Sequence, residues 1–470
     1  MNGIRLAILL LVAVLAGCAA TTPNDGKGKA FTAADTSRTI DLTNPPHDMW
    51  DRIRRGFAIP NFQSELTEHW TQYYASHPES VLMMSKRAGK FLYHIVDELD
   101  RRGMPTELAL LPFIESAYNP EAYSRSHASG LWQFIPSTGR QFNLHQDSWR
   151  DLRRDPILST NAALDYLTYL YDFQGDWYLA LASYNWGEGA VRRAMEKNRD
   201  AGRPVDYASL KLPDETRNYI PKLQAIKNII AEPRKYGLSL PAVQNTPYFT
   251  TVRKSQNIDI EVAAQLAEMP LEDFKALNAS FNRPTILADH NPVLLIPTDR
   301  VATFNANLAA HEGPLSAWTT YQARRGESYA SIARKHGISV NELLAVNGIS
   351  KGKSKAVAQA LLIPARWEGP GKAAAQVASA SAAAVTQPAD RQQARAGGSI
   401  RPVAASSRDI VVLRRAPTLR THTIRGGDTL YALAKRYNTS VTELRRLNNI
   451  KGNTLTKGRK LRVPGTDARG

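Results

Sequence analysis

Apolar positions recur near a 3.6-residue period from Pro46 to about Leu240, and that period predicts helices packed on one another. In PESVLMMSKRAGKFLYHIVDELDRRGMP the apolar residues Val81, Met84, Phe91, Ile95 and Leu99 line one face. Proline at one end and Gly-Met-Pro at the other bound the run. TNAALDYLTYLYDF, opening at Thr160-Asn161, and ETRNYIPKLQAIKNIIAEP, preceded by Asp214, repeat the idiom with capping or acidic residues where a helix starts. No comparable alternating run interrupts this stretch, so an all-α domain is expected over residues 45–240, with its core in 100–232.

Beyond Pro241 the pattern changes to a repeat. Residues 321–349 lie over 422–450 without a gap, and nine of 29 positions are identical, among them Gly326/Gly427, Ser339/Ser440, Glu342/Glu443 and Asn347/Asn448. Each copy closes on a short apolar strand ending in proline, LLIP at 361–364 and LRVP at 461–464. The expected unit is βααβ, about 45 residues long, burying Ile332, Ala333, Leu343 and Val346 together. Gly-Glu-Ser and Gly-Asp-Thr place acceptors at the first helix start. Residues 258–297 carry similar helices and a closing LLIP without the Gly-Asp-Thr entry, so 245–300 is expected as a degenerate copy. Residues 366–419, rich in Ala, Ser, Gln, Pro and Gly, cannot bury enough apolar surface to fold and read as a linker.

At 470 residues the chain is too long for one core. Its net charge of +17 is unevenly placed: residues 318–470 hold 27 Lys+Arg against 8 Asp+Glu, whereas residues 1–317 hold 33 against 35. Near the N-terminus Arg5 precedes an apolar run from Leu6 to Ala16 that ends in LAGC. The run is too short to span a bilayer and reads as an export signal. Cys18 is the only cysteine, which leaves it no disulfide partner and no companion for a metal cluster. LAGC resembles the lipobox of bacterial lipoproteins, which implies a lipoprotein signal segment with lipobox over 1–18, lipidation at Cys18 as the mature N-terminus, a flexible tether over 19–44 and a place in the cell envelope. Ala19 after the cysteine points to the outer membrane facing the periplasm. An exported chain meets little nucleic acid, so anionic wall polymer is the expected partner of the basic C-terminal third, and nucleic acid is not.

The chemistry centres on LPFIESAYNP, residues 111–120. A short apolar segment delivers one carboxylate, Glu115, and desolvation there is expected to raise its pKa. Downstream come Ser124, then SGLWQFIPSTG at 129–139, LASYNWG at 181–187 and ETRNYIPK at 215–222. These four features in order resemble the lysozyme-like catalytic domain of the soluble-type lytic transglycosylases. The repeated βααβ units resemble LysM modules, placing LysM copies at 319–365 and 420–465. The resemblance implies a multidomain enzyme, an all-α lysozyme-like domain followed by small α+β modules on flexible linkers, acting on peptidoglycan strands of GlcNAc and MurNAc. It makes Glu115 the catalytic acid and then the base, with release of 1,6-anhydro-MurNAc ends and no cofactor.

The same resemblance places Ser124, Gly130, Trp132, Gln133, Tyr184, Asn185 and Tyr219 on the substrate. Gly130 would allow close approach of backbone to sugar, Gln133 would donate and accept, and Tyr219 would stand beside the carboxyl. Trp132 occupies a position where the family often has methionine, and suits either stacking or packing. Trp177 and Trp186 line the cleft or fill the core. No second carboxylate is expected beside Glu115, because Glu121 lies outside the family pattern. His94, His127 and His145 lack partners at metal-ligand spacing, and no metal is expected. Two other readings stay open at this level: a hydrolytic muramidase on the same fold, and a non-catalytic wall-binding lipoprotein.

Overall fold

The structure is a computed structural model that describes residues 45–254, 256–290, 292–365 and 419–425, together with parts of 433–464. The export signal, Cys18, the tether, and the linker apart from Leu419 lie outside the described residues. Among the described residues no helix is long and apolar enough to cross a membrane.

The N-terminal unit is built of helices α1 (Met49–Arg55), α2 (Glu65–Ala75), α3 (Pro78–Ala88), α4 (Leu92–Arg102), α5 (Leu111–Ser116), α6 (Pro136–Gln141), α7 (Pro156–Gln174), α8 (Trp177–Trp186), α9 (Glu188–Asp200) and α10 (Asp214–Ala231). One apolar cluster runs through it, from Trp50 and Leu99 to Leu167, Ala180 and Ile226. The 78–105 segment is two helices rather than one. At Gly89 a Cβ would meet Val243 at 3.3 Å, and the chain turns there so that α3 and α4 both bury their apolar faces. Helix α7 starts at Pro156, four residues before the expected Thr160, because Asp155 accepts from the amides of Ile157 and Leu158. Thr160 is instead interior and binds the Trp132 indole.

Helix α10 carries Pro221 in its interior, which deprives the Arg217 carbonyl of its i+4 donor. The Tyr207 hydroxyl stands 2.9 Å from that carbonyl and 2.7 Å from the Thr216 carbonyl, so the helix continues past the proline with an external donor. A buried ion pair fixes the other side of α10. Glu107 (1% exposed) receives Lys227 at 2.9 Å and the amides of Ala58 and Ile59 at 2.8 Å each, while Lys227 donates to the Ile59 carbonyl.

Three small units follow. In the first, strand β1 (Phe249–Arg253) pairs antiparallel with β4 (Val293–Pro297), and the short β2 (Ile258–Asp259) pairs with β3 (Thr285–Ile286). Between them lie α11 (Ile260–Leu266) and α12 (Leu271–Leu277), and α13 (Val301–Ala310) is added after β4. Phe274, Leu294, Ile296 and Phe304 fill its core. The second unit pairs β5 (Trp318–Ala323) with β6 (Gln359–Pro364) around α14 (Tyr329–Lys335) and α15 (Val340–Val346). Its core takes Leu344 in place of the expected Val346, which is half-buried. Ser339 and Glu342 form a reciprocal cap at α15, whereas Ser328 at the start of α14 makes no side-chain cap and Glu327 turns back to the Arg324 amide. The third unit pairs β7 (Leu419–Thr423) with β8 (Lys460–Pro464) beside α16 (Val441–Asn448).

All three share one internal clamp. The amide nitrogen of Asn278, Asn347 or Asn448 donates to a helix carbonyl and to the closing strand, and its oxygen accepts from that strand's Leu295, Leu362 or Arg462 amide. The clamp marks the 258–297 segment as the same unit as its two neighbours.

Candidate active site

Glu115 rides near the end of α5, a single-turn helix fed by a 3-10 turn, Thr106–Leu110, whose residues are all buried. The chain must leave abruptly after it. Ala117 (φ 51°) and Tyr118 (φ 55°) are consecutive left-handed residues, each costing roughly 1–2 kcal/mol for a side chain with a Cβ. Burial of Tyr118 offsets that cost: its hydroxyl donates to the Ala109 carbonyl at 2.7 Å and its ring meets Phe113 edge-on at 5.0 Å. The reversal leaves Glu115 half-buried, at the wall between α5 and α10.

Tyr219 of α10 donates its hydroxyl to Glu115 Oε1 at 2.5 Å. Burial pushes the Glu115 carboxyl up to about 7; the Tyr219 hydroxyl opposes this by stabilising the charged form, and the nearby Glu215 charge adds to the rise. Tyr184 lies close enough for the two to interact electrostatically, and burial drives both Tyr184 and Tyr219 well above the ordinary tyrosine range, so both hydroxyls stay protonated.

Tyr184 donates to the Trp132 carbonyl at 2.8 Å. Asn185, one residue on, accepts from Thr216 at 2.8 Å and directs its amide nitrogen toward Glu215 at 3.4 Å. On the facing hairpin, Gln133 is held in a left-handed conformation (φ 47°) and donates to the Gly130 carbonyl at 2.9 Å and, more weakly, to that of Ala122. Ser116, beside Glu115, donates to the Leu131 carbonyl at 2.9 Å and so ties that hairpin to the acid. The Ser124 hydroxyl is engaged within its own turn, accepting from the Ala128 amide at 3.0 Å and meeting Ser126 at 2.9 Å.

Two expectations are corrected. Trp132 is fully buried with its indole nitrogen on Thr160 at 3.1 Å, so its ring packs in the core and cannot stack on a sugar. Gly130 (φ +84°) makes its close approach to protein: a Cβ there would fall 2.1 Å from the Arg153 carbonyl oxygen. Glu215, at the exposed start of α10, was not singled out from the sequence, and its charge adds to the rise at Glu115. That residue was legible, because it precedes Tyr219 by four positions and helical neighbours at that spacing share a face.

Asp151 and Arg153, which anchor the Gln133 hairpin, gave no such signal; RDLRRD reads as a solvated charge run. Trp177 stacks on Tyr171 at 4.4 Å, and Trp186 is half-buried against the core. Among the described residues no group of three His, Cys, Asp or Glu is arranged to hold a metal ion.

Comparison with known proteins agrees with this geometry. Residues 93–205 match the Transglycosylase SLT domain, residues 248–313 match the family described as "Lytic transglycosylase MltD, LysM-like domain", and residues 321–354 and 422–464 match the LysM domain. The chain is 29% identical to membrane-bound lytic murein transglycosylase D of Escherichia coli (strain K12), over 97% of this chain and 96% of that protein. It is 42% identical to a putative tributyltin chloride resistance protein of Alteromonas sp. (strain M-1), over 35% of this chain and 78% of that one. Soluble lytic murein transglycosylase of Escherichia coli (strain K12) is 34% identical over 25% of this chain and 18% of its own length. With a half-buried acid on a helix end, a tyrosine bonded to it and three LysM-type units behind, the chain carries the Transglycosylase SLT domain and LysM units of a peptidoglycan lytic transglycosylase.

Proposed function

We propose that Glu115 performs both proton transfers in cleavage of the β-1,4 bond between MurNAc and GlcNAc. A carboxyl with a pKa of about 7 carries a proton for much of the time at neutral pH and can donate it to the glycosidic oxygen as the bond breaks. Once ionised, the same carboxylate takes the proton of the MurNAc C6 hydroxyl, whose oxygen closes on C1. The product is a 1,6-anhydro end, and no water is consumed. The Glu215 charge favours the protonated form of Glu115.

The single observation that carries this reading is the partly buried Tyr219–Glu115 bond, which holds one acid in place. Gln133, Tyr184 and Asn185 are assigned to the substrate side, with Ser124 near the acetamido group. Catalysis is assigned to residues 45–240 and glycan holding to the units at 319–365 and 420–465. Lipid on Cys18 anchors the chain, with the outer membrane as its site.

Mass spectrometry of digested peptidoglycan tests the chemistry. Anhydro ends are expected; reducing ends carrying added water would leave a muramidase in its place. Glu115→Gln is expected to lower cleavage by about 10³-fold or more, since positioned acid–base catalysis supplies roughly 10²–10⁴ for each transfer. Sedimentation with murein should persist in that variant, and retained cleavage would move the acid elsewhere.

A further inference from the structure

Two consecutive arginines hold the hairpin that carries Gln133, and the segment that fixes them comes from the LysM-like unit. The buried Arg153 guanidinium bonds Asp151 through Nε (2.9 Å) and Nη2 (2.7 Å). Its Nη1 donates to the carbonyls of His127 (2.5 Å) and Phe134 (2.9 Å). These two carbonyls bracket the hairpin, and left-handed residues stand at both ends of it, His127 at φ 62° and Gln133 at φ 47°. Arg154 donates to the buried Ser129 hydroxyl at 2.9 Å, between them.

Asp151 is in turn held from outside the helical unit. Its amide donates to the Ser280 carbonyl at 2.8 Å, and the Asn282 amide donates to the Trp149 carbonyl at 2.8 Å, so 149–151 and 280–282 pair like two short strands. The Asn282 side chain donates to the Asp147 carbonyl at 3.1 Å and accepts from Arg154 at 3.4 Å, and Arg150 lies over the Phe281 ring at 5.0 Å. Leu277 and Leu295 of the same unit join the helical core.

The geometry points to residues 280–282 of the LysM-like unit as a positioning element for the reaction, working through Asp151 and Arg153 to keep Gln133 in its left-handed conformation. A residue in that conformation returns to the commoner right-handed or extended regions unless its neighbours hold it. The unit at 248–313 thus completes the active site from behind, instead of serving as a third free tether for glycan. This rests on the assignment of Gln133 to the substrate.

The test is a double-mutant cycle in the full chain, with initial rates on soluble glycan strands. Asn282→Pro removes the amide donor to Trp149 and both side-chain bonds. It is expected to lower kcat/KM about tenfold, mainly through KM, with the pH profile set by Glu115 unmoved. In a Gln133→Ala background the same change is expected to cost less than about twofold, because the residue it acts through is gone. Equal losses in both backgrounds, or a loss below about twofold in the parent, overturn the proposal.

If Asn282→Pro does not fold, Asn282→Ala enters the same cycle with the same criteria and an expected effect of about threefold. If Gln133→Ala is too slow to assay, hydrogen exchange at the Ser129 and Gln133 amides decides, faster exchange supporting the proposal and unchanged exchange overturning it. Glu115→Gln run alongside keeps the two ideas apart. Cleavage surviving in that variant removes the assignment of the acid, whatever the cycle gives.

Discussion

At the scale of single residues the proton on Glu115 has consequences for rate and for stability. With a folded pKa of about 7 the acid form is lost as pH rises through that value, so kcat/KM is expected to fall about tenfold per unit above it. Tyr219→Phe removes the bond that favours the carboxylate; the descending limb should therefore move to higher pH, while Glu215→Gln should move it lower. A pH–rate series on soluble strands checks both directions.

The same shift destabilises the fold. Because the folded pKa exceeds the ordinary 4.5, the native state holds a proton that the unfolded chain releases, and stability falls as pH rises from about 4.5 to about 7. Glu115→Gln is expected to raise the melting temperature at pH 8, by a gain on the order of 1–3 kcal/mol, and to change it little at pH 4. A melting curve that responds equally at both pH values would contradict the raised pKa.

At the scale of elements, short segments are set by what they pack against more than by their own propensity. Gly130→Ala is expected to cost about 3 kcal/mol or more, since the new Cβ meets backbone at 2.1 Å on a residue at φ +84°. Chemical denaturation with an intact slope would measure it. Glu107→Gln leaves Lys227 buried beside a neutral partner, and breaking such a pair from one side typically costs about 3–5 kcal/mol. The segment from Ala58 to Ile59, which Glu107 receives, should then exchange its amides faster. Lys227→Met together with Glu107→Gln is expected to recover part of the loss, because no charge is left stranded.

At the scale of the whole molecule the units differ in how firmly they are joined. The 248–313 unit shares core, backbone pairing and the Lys90–Asp273 ion pair with the helical unit, so the two are expected to unfold in one transition. The 318–364 unit has its own core and its own asparagine clamp. Asn347→Ala removes bonds from three buried backbone groups and is expected to weaken murein binding severalfold while leaving cleavage of short soluble strands unchanged. Parallel sedimentation and turnover assays separate the two effects.

Much of this was legible without coordinates. The helical period, the repeat around Asn347 and Asn448, and an acid at the end of a greasy segment are local signals, because periodicity and capping act over a few residues. Glu115 stands out that way; Tyr184, Asn185 and Tyr219 came instead from the resemblance of their motifs, and Glu215 could have been picked out by its spacing from Tyr219. Trp132, Gly130 and the break at Gly89 were not, because each is decided by a partner distant in sequence: Thr160, the Arg153 carbonyl and Val243. The order of residues alone decides which acidic, amide and hydroxyl groups each segment can offer. Packing between distant segments selects which side chains stand near the acid and which fill the core. It also joined Asp151 to Ser280 across more than a hundred residues, since burial and hydrogen-bond pairing at a distance leave no period in the chain.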